Sequence, residues 1–525
     1  MRIRSTIGAT FLLALFATSA QSQVKTLKVV LDTELQVLDP IATTSYVTRT
    51  FAYMVFDTLV SMDSAGKFRP QMLESWQVSP DNMTYRFKLR PGLKWHDGTA
   101  VTAEDCVASL KRWGARDGLG RQMFAATKEL KAIDGDSFVL ELEKPFGLVI
   151  DAIGKPSSNV PVMMPARLAA TDPSKQVPEV IGSGPFVFDA KSWRPGDIAV
   201  FLKFKDYKPR SEPADGISGG KVVHFDRLEV RSLPDMATQV AALQAGEVDY
   251  IQRTPPDFIE QLRGDKQIQI PNEGGLGQMM GAIRLNHAQP PFNNPLVRKA
   301  FQQLMDQKEF MAATGLPKDM YMEQCLSMFM CNAPLSNSEG TDELRSPSIA
   351  KAKSLLKEAG YKNEPAVVFQ STDVAIINAI SLVTIDRMRQ AGFNVVVKST
   401  DWATVAQQRW NKETVEKGGW SAMPLIWSGY DLGNPLTHYG VAYNCTNGYP
   451  GWSCDEHTTA LLAEFVRESD AAKRLTIAAQ LQARAHAIGS VGLAGQYANP
   501  PAYRADLKDM ITVGLPVFWN VHRDK

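Results

Sequence analysis

Two stretches in the last third of the chain share one plan: an amphipathic run, a glycine, then a β-rich run. In "IAKAKSLLKEAGYKNEPAVVF", Ala352, Leu355, Leu356 and Ala359 fall on one helical face, Gly360 stops the helix and "AVVF" reads as a buried strand. "INAISLVTIDRMRQAGFNVVV" repeats the plan with Gly392 as the break. A third unit, "DMATQVAALQAGEVDYI", places Met236, Val240 and Leu243 on one face, ends the helix near Gly246 and begins a strand over Val248 to Ile251. Helices alternating with short β-rich runs demand an α/β layer architecture with a parallel or mixed sheet. The 525 residues exceed what one hydrophobic core organises, so at least two lobes are expected.

Charge narrows the partners. The chain carries 57 Lys and Arg against 56 Asp and Glu, which gives no reason to expect nucleic acid or an anionic membrane. The N-terminus reads as an export signal over residues 1–22. Arg2 and Arg4 precede an apolar stretch from Ile7 to Phe16, and small residues follow, with cleavage after Ala20 or Ser22. That stretch is shorter than the roughly 20 residues a membrane span needs. A soluble, exported, periplasmic protein without membrane insertion is expected.

Five cysteines suit an oxidising compartment. Cys325 with Cys331 and Cys445 with Cys454 are close in sequence, which suggests two local disulfides and a free Cys106. Spacing alone does not fix connectivity, so five buried thiols remain the other reading. Zinc is not expected, for no CxxC occurs and His457 stands alone beside one pair.

The span from Lys88 to Trp113, "KLRPGLKWHDGTAVTAEDCVASLKRW", gathers Trp, His, Asp and Cys in a way that invites an enzymatic reading. The local physics argues otherwise. "YRFKL" alternates like a half-buried strand, and Pro91-Gly92 and Asp97-Gly98 are turns. Thr102 with Asp105 is a capping box opening a helix through Val107, Leu110 and Trp113. Neither "GISGGKV" nor "GSGPF" meets the requirements of a phosphate loop; the second reads as a turn where the chain crosses between lobes. "DYKPRSEPADGISGGK" reads as a surface loop. With no HExxH and no nucleophile–base motif, neither a metalloenzyme nor a secreted hydrolase is expected, and no cofactor or metal.

The wider stretch "LESWQVSPDNMTYRFKLRPGLKWHDGTAVTAEDCVASLKRW" closely resembles the signature of bacterial extracellular solute-binding protein family 5, the oligopeptide- and dipeptide-binding receptors of ABC importers. "VIGSGPFVFDAKSWRPGDIAVFLKFKDYK", "LPDMATQVAALQAGEVDYI" and "IRLNHAQPPFNNPLVRKAFQQLMD" extend the resemblance over nearly the whole mature chain. It implies an α/β, two-lobed periplasmic-binding-protein fold with an additional subdomain on the first lobe. The first lobe would take residues 23–64, 181–275 and 488–525, the extra subdomain 65–180, and the second lobe 276–487. It further implies a monomer that captures a small molecule or short peptide and docks transiently on an inner-membrane ABC permease. A non-peptide guest (a sugar, an opine, an aromatic acid or a metal chelate) and a peptide-binding chaperone or sensor remain open, because fold does not fix function.

By resemblance, Trp427 and Asp431 in "PLIWSGYDLGNP" match the Trp and the Asp that grips a ligand ammonium, a charge-assisted contact strengthened in a water-poor cleft. Taken alone, Asp431 before Gly-Asn-Pro reads as an Asx-turn. Trp402, Trp452 and Tyr46 are further candidates for enclosing a guest. The dipeptide receptors hold a ligand carboxylate with an Arg before the "INAISLVTIDRMRQ" helix, where "QSTDVAIINAI" has no cation. Arg49, Arg387 and Arg409 are alternatives among which the sequence does not choose.

Overall fold

A computed structural model describes residues 24–441, 445 and 448–524; the export signal expected over 1–22 lies outside the described residues. The helix–glycine–strand units form as their patterns require. The helices Ile349–Glu358 and Ala375–Ala391 each feed a strand, Pro365–Ser371 and Asn394–Thr400. The two strands pair in parallel from Pro365 opposite Asn394 to Ser371 opposite Thr400. Gly392 sits at φ +97°, the left-handed cap that a side chain would strain.

These strands belong to a five-stranded sheet ordered Asn394–Thr400, Pro365–Ser371, Ala422–Ser428, Met279–Leu285, Val491–Tyr497. All seven residues of Met279–Leu285 are buried, as expected of a central strand covered on both faces. The second lobe's sheet therefore reaches beyond residue 487. Val491–Tyr497 pairs antiparallel with Met279–Leu285, so the chain leaves this lobe after Tyr497 and not at 488.

A seven-stranded sheet forms the first lobe from distant parts of the chain. Its order is Phe186–Phe188, Ile198–Lys203, Arg227–Arg231, Thr26–Val30, Tyr250–Ile251, Ala502–Arg504, Ile268–Gln269. A smaller antiparallel sheet, Leu73–Val78, Thr84–Leu89, Ser137–Leu142 and Thr127–Ala132, makes the appended unit. Along Thr84–Leu89 the residues Tyr85, Phe87 and Leu89 are buried while Arg86 and Lys88 are exposed, the alternation of a one-faced strand. The helix Ala103–Arg116 covers that face. Its capping box is complete: Thr102 Oγ1 accepts from the Asp105 N–H at 3.3 Å and Asp105 Oδ2 accepts from the Thr102 N–H at 2.9 Å. Asp105 also accepts from Trp95 Nε1. His96 is equally structural. Its Nδ1 accepts from the Gly182 N–H, so Nε2 carries the proton given to the Gly184 carbonyl, and burial lowers its pKa to about 4.

Two loops lie elsewhere than their sequences suggest. "GSGPF" does not cross between the two large lobes. It brings the chain from the appended unit to Phe186–Phe188 of the seven-stranded sheet, and a Cβ on Gly182 would meet the Val55 carbonyl oxygen at 2.0 Å. The end of "DYKPRSEPADGISGGK" is not surface. Ile217 to Lys221 are buried, because the Lys221 ammonium reaches Asp57 at 2.8 Å and lies over the Trp519 ring. Both cysteine pairs are bridged, Cys325–Cys331 and Cys445–Cys454, and Cys106 is a buried free thiol.

The chain passes between the lobes after Gln269 and again after Tyr497. On the first passage Glu273 is 6% exposed, and burial raises its carboxyl from the ordinary 4.5 to about 7 against a weaker lowering by the Gly514 N–H. Tyr250, Tyr430 and Tyr503 feel its charge. The native state keeps a proton that the unfolded chain has lost between those two values, so this residue's contribution to stability is present below pH 4.5 and fades as pH rises through 7. Chemical denaturation should show Glu273→Gln gaining on the wild type by up to about 3 kcal/mol between pH 5 and pH 8. Parallel pH profiles for the two proteins would contradict this.

Candidate functional site

A cavity of about 980 Å³ opens between the lobes. Its first-lobe wall is built by Ile41 to Thr44, by Arg116 to Arg121 where the helix Ala103–Arg116 gives way to the helix Gly118–Ala125, and by Lys155 to Asn159. The facing wall comes from Arg409 and Trp410, from Asp431, Leu436, Thr437 and Tyr439, from Tyr449, and from the helix Glu456–Arg467.

Asp431 reaches the cavity because the strand Ala422–Ser428 ends against the first inter-lobe passage. A Cβ on Gly429 would lie 2.6 Å from the Leu276 carbonyl oxygen, so only glycine lets the backbone turn there into the short helix Gly429–Leu432. The Asp431 side chain does not make the Asx-turn; Asn434 does, accepting from the Leu436 N–H at 2.9 Å. Asp431 is 1% exposed and accepts from two groups across the cleft, the Tyr46 hydroxyl at 2.5 Å and the Ser158 N–H at 3.3 Å. The Tyr46 oxygen accepts in turn from the Ser428 N–H at 3.1 Å. Burial, then the negative charge of Asp431, holds the Tyr46 hydroxyl well above its ordinary pKa, so it stays a donor. A carboxylate can accept roughly four hydrogen bonds. Those two therefore do not exhaust Asp431.

The Arg49 guanidinium lies 4.4 Å from the Tyr46 ring centroid, buried, its Nε and Nη1 without hydrogen-bond partners among the described residues. Across the same wall, Lys155 pairs with Asp117 at 2.7 Å and also donates to the Ser158 carbonyl and to Ser157 Oγ. That ties the Ser158 loop in place. Arg409 donates from Nη1 to Tyr449 Oη at 2.9 Å, and Tyr449 packs on Tyr439 with centroids 4.5 Å apart.

The sequence candidates divide. Asp431 lines the cavity, and Tyr46 meets it through the Asp431 carboxylate. Trp427 is 3% exposed and stands behind the wall, its ring 6.2 Å from that of Tyr439. Trp452 packs on Trp420 at 5.9 Å, and Trp402 opens the helix Trp402–Gln408, its N–H given to Asp373; neither lines the cavity. Among the three arginines, Arg387 is committed to Glu309 and away from the cavity, whereas Arg409 lines it. Sequence reasoning missed Arg116, Asp117, Arg121, Lys155, Ser158 and Tyr449. Arg116 and Asp117 lie just past the scaffold span that ends at Trp113, and no spacing rule marks them as facing another lobe. Among the described residues no three His, Cys, Asp or Glu side chains gather as a metal-binding group, and no helix is long and apolar enough to cross a membrane.

The family model of the bacterial extracellular solute-binding proteins, family 5, matches residues 67–450. The probable peptide ABC transporter periplasmic-binding protein of Sinorhizobium fredii is 34% identical over 511 residues, 97% of this chain and 95% of the relative. Two solved structures share the fold. A periplasmic binding protein from A. tumefaciens R10 in complex with agropinic acid has a TM-score of 0.77 at 22% identity, over 95% of this chain and 99% of its own. The ABC transporter-associated periplasmic binding protein of Helicobacter pylori in complex with the peptide STSA has a TM-score of 0.76 at 19% identity, over 95% of this chain and 98% of its own. On the family match and the full-length relative together, the chain belongs to the bacterial extracellular solute-binding proteins of family 5.

Proposed function

We propose that this protein is the periplasmic receptor of an ABC importer, exported by its first 22 residues, and that it captures a short peptide or another amine-bearing solute by lobe closure and delivers it unchanged to a membrane permease. One observation carries the reading: Asp431, on the second lobe, lies on a cavity whose opposite wall is first lobe, and its carboxylate is held from that opposite wall. Only a guest that touches both walls shifts the balance between open and closed forms. The ionisable groups on the wall support binding over catalysis, since Lys155 is engaged with Asp117, and Asp431 with Tyr46 and Ser158. The peptide class is supported by the name of the Sinorhizobium fredii relative. A second reading keeps the clamp and changes the guest to an opine-like solute, favoured by the shared fold of the agropinic acid complex.

A micromolar receptor needs about 8 kcal/mol of net binding free energy. One ammonium–carboxylate contact contributes about 2–3 kcal/mol of this, so enclosure by Tyr439, Tyr449 and Trp410 must supply much of the remainder. Asp431→Asn keeps an oxygen for the Tyr46 hydroxyl and removes the charge. Calorimetry should show affinity for an amine-bearing guest falling about tenfold to a hundredfold, and an unchanged affinity would refute the anchor. Tyr46→Phe strips both Asp431 and the Ser428 N–H of a partner across the cleft. It should weaken the same guest by about tenfold through the closed state alone, and equal affinity would refute the bridge.

A further inference from the structure

Resting on the receptor reading above, we infer that the cavity also holds an anion-binding subsite formed by Arg409 on the second lobe and Arg116 and Arg121 on the first, and that the natural guest is therefore acidic: a solute with more carboxylates than amines, such as an acidic peptide or an acidic amino-acid conjugate.

The charge census of the wall carries this. Four cations line the cavity, Arg116, Arg121, Lys155 and Arg409, against two carboxylates, Asp117 and Asp431. Lys155 and Asp117 cancel at 2.7 Å. Asp431 is bonded to neutral donors, the Tyr46 hydroxyl and the Ser158 N–H. Three guanidinium groups remain, and none forms an ion pair among the described residues. Like charges gathered on a wall repel, more so once closure thins the water between them, and an anion relieves that repulsion.

Arg409 is built for the task. Its backbone carbonyl is fixed by Trp420 Nε1 at 2.9 Å, its Nη1 is aimed by Tyr449 Oη, and its face lies 5.2 Å from the Tyr449 ring centroid and 5.8 Å from that of Trp410. Its Nε is buried and without a hydrogen-bond partner among the described residues. A guanidinium held in one plane with donors to spare matches the fork geometry of a carboxylate. Arg116 and Arg121 are exposed, Arg116 as the last residue of the helix Ala103–Arg116 and Arg121 in the first turn of the helix Gly118–Ala125; Arg121 is tethered through Nη1 to the Arg116 carbonyl, which keeps the two side by side. Their position on the appended unit means that an anion touching Arg409 and either of them spans both lobes, as closure requires. The cation that the sequence lacks before the helix Ala375–Ala391 is thus replaced from elsewhere on the wall.

The test is a thermal-shift screen of the mature protein against a broad panel of peptides, amino-acid conjugates, sugars and organic acids that includes Glu-Glu, Ala-Ala and Lys-Lys, followed by calorimetry on the wild type, Arg409→Gln and the double variant R116Q/R121Q. Acidic members should give the largest shifts, with Glu-Glu at least about tenfold tighter than Ala-Ala and that advantage eroding as salt is raised. Arg409→Gln should remove the advantage. R116Q/R121Q, altered only at exposed side chains, should melt with the wild type when free of guest and lose several-fold more affinity for Glu-Glu than for Ala-Ala. Neutral or cationic members binding as tightly as acidic ones, or Glu-Glu binding unchanged in both variants, would overturn the subsite and leave the receptor reading standing. No shift from any member would overturn both.

Discussion

A carboxylate removed from water must be hydrogen-bonded, and Asp431 meets that requirement with groups from the opposite side of the cleft. This one demand links the charge of the site to the position of the lobes. With the lobes together, Tyr46 and Ser158 supply the donors; with the lobes apart, water must. Tyr46 acts twice, donating a hydrogen bond to Asp431 and accepting one from the Ser428 N–H, so a single phenol joins a first-lobe helix to the end of a second-lobe strand. The Arg49 cation beneath its ring offsets part of the negative charge without consuming an Asp431 oxygen.

The rest of the architecture keeps that node in place and gives it company. The two inter-lobe passages limit how the sheets can move, and Gly429 packed against Leu276 fixes where the Asp431 turn begins. The appended sheet is more than ballast. Through the end of the helix Ala103–Arg116 it places Arg116, Asp117 and Arg121 on the wall, and through Lys155 it steadies the loop that offers the Ser158 N–H. A stretch whose own chemistry is wholly scaffold thus ends as part of the site.

Much of the fold was legible because it is written locally. Gly360 and Gly392 end helices where the apolar stripe ends, Thr102 and Asp105 close a capping box, and Tyr85, Phe87 and Leu89 alternate with charges. What was illegible depends on partners far along the chain. Lys221 is buried because Asp57, 164 residues away, receives it, and nothing in the glycine-rich loop says so. Val491–Tyr497 belongs with the second lobe only because Met279–Leu285 is there to pair with it. Asp431, singled out through resemblance, lies on the cavity wall, whereas Trp402, Trp427 and Trp452 do not, because aromatic identity does not tell a wall from what stands behind it. Arg49, Arg387 and Arg409 look alike in sequence and part ways in space: one under a ring, one on Glu309, one on the cavity.

The coupling between Asp431 and closure can be read most directly at the Ser158 amide, a loop N–H whose partner is on the other lobe. Hydrogen exchange followed by mass spectrometry, with and without a solute that raises the melting temperature, resolves the segment carrying it. The account predicts that this segment becomes protected when the solute binds and loses that protection in Asp431→Ala. A bound solute that leaves exchange at Ser158 unaltered would contradict it.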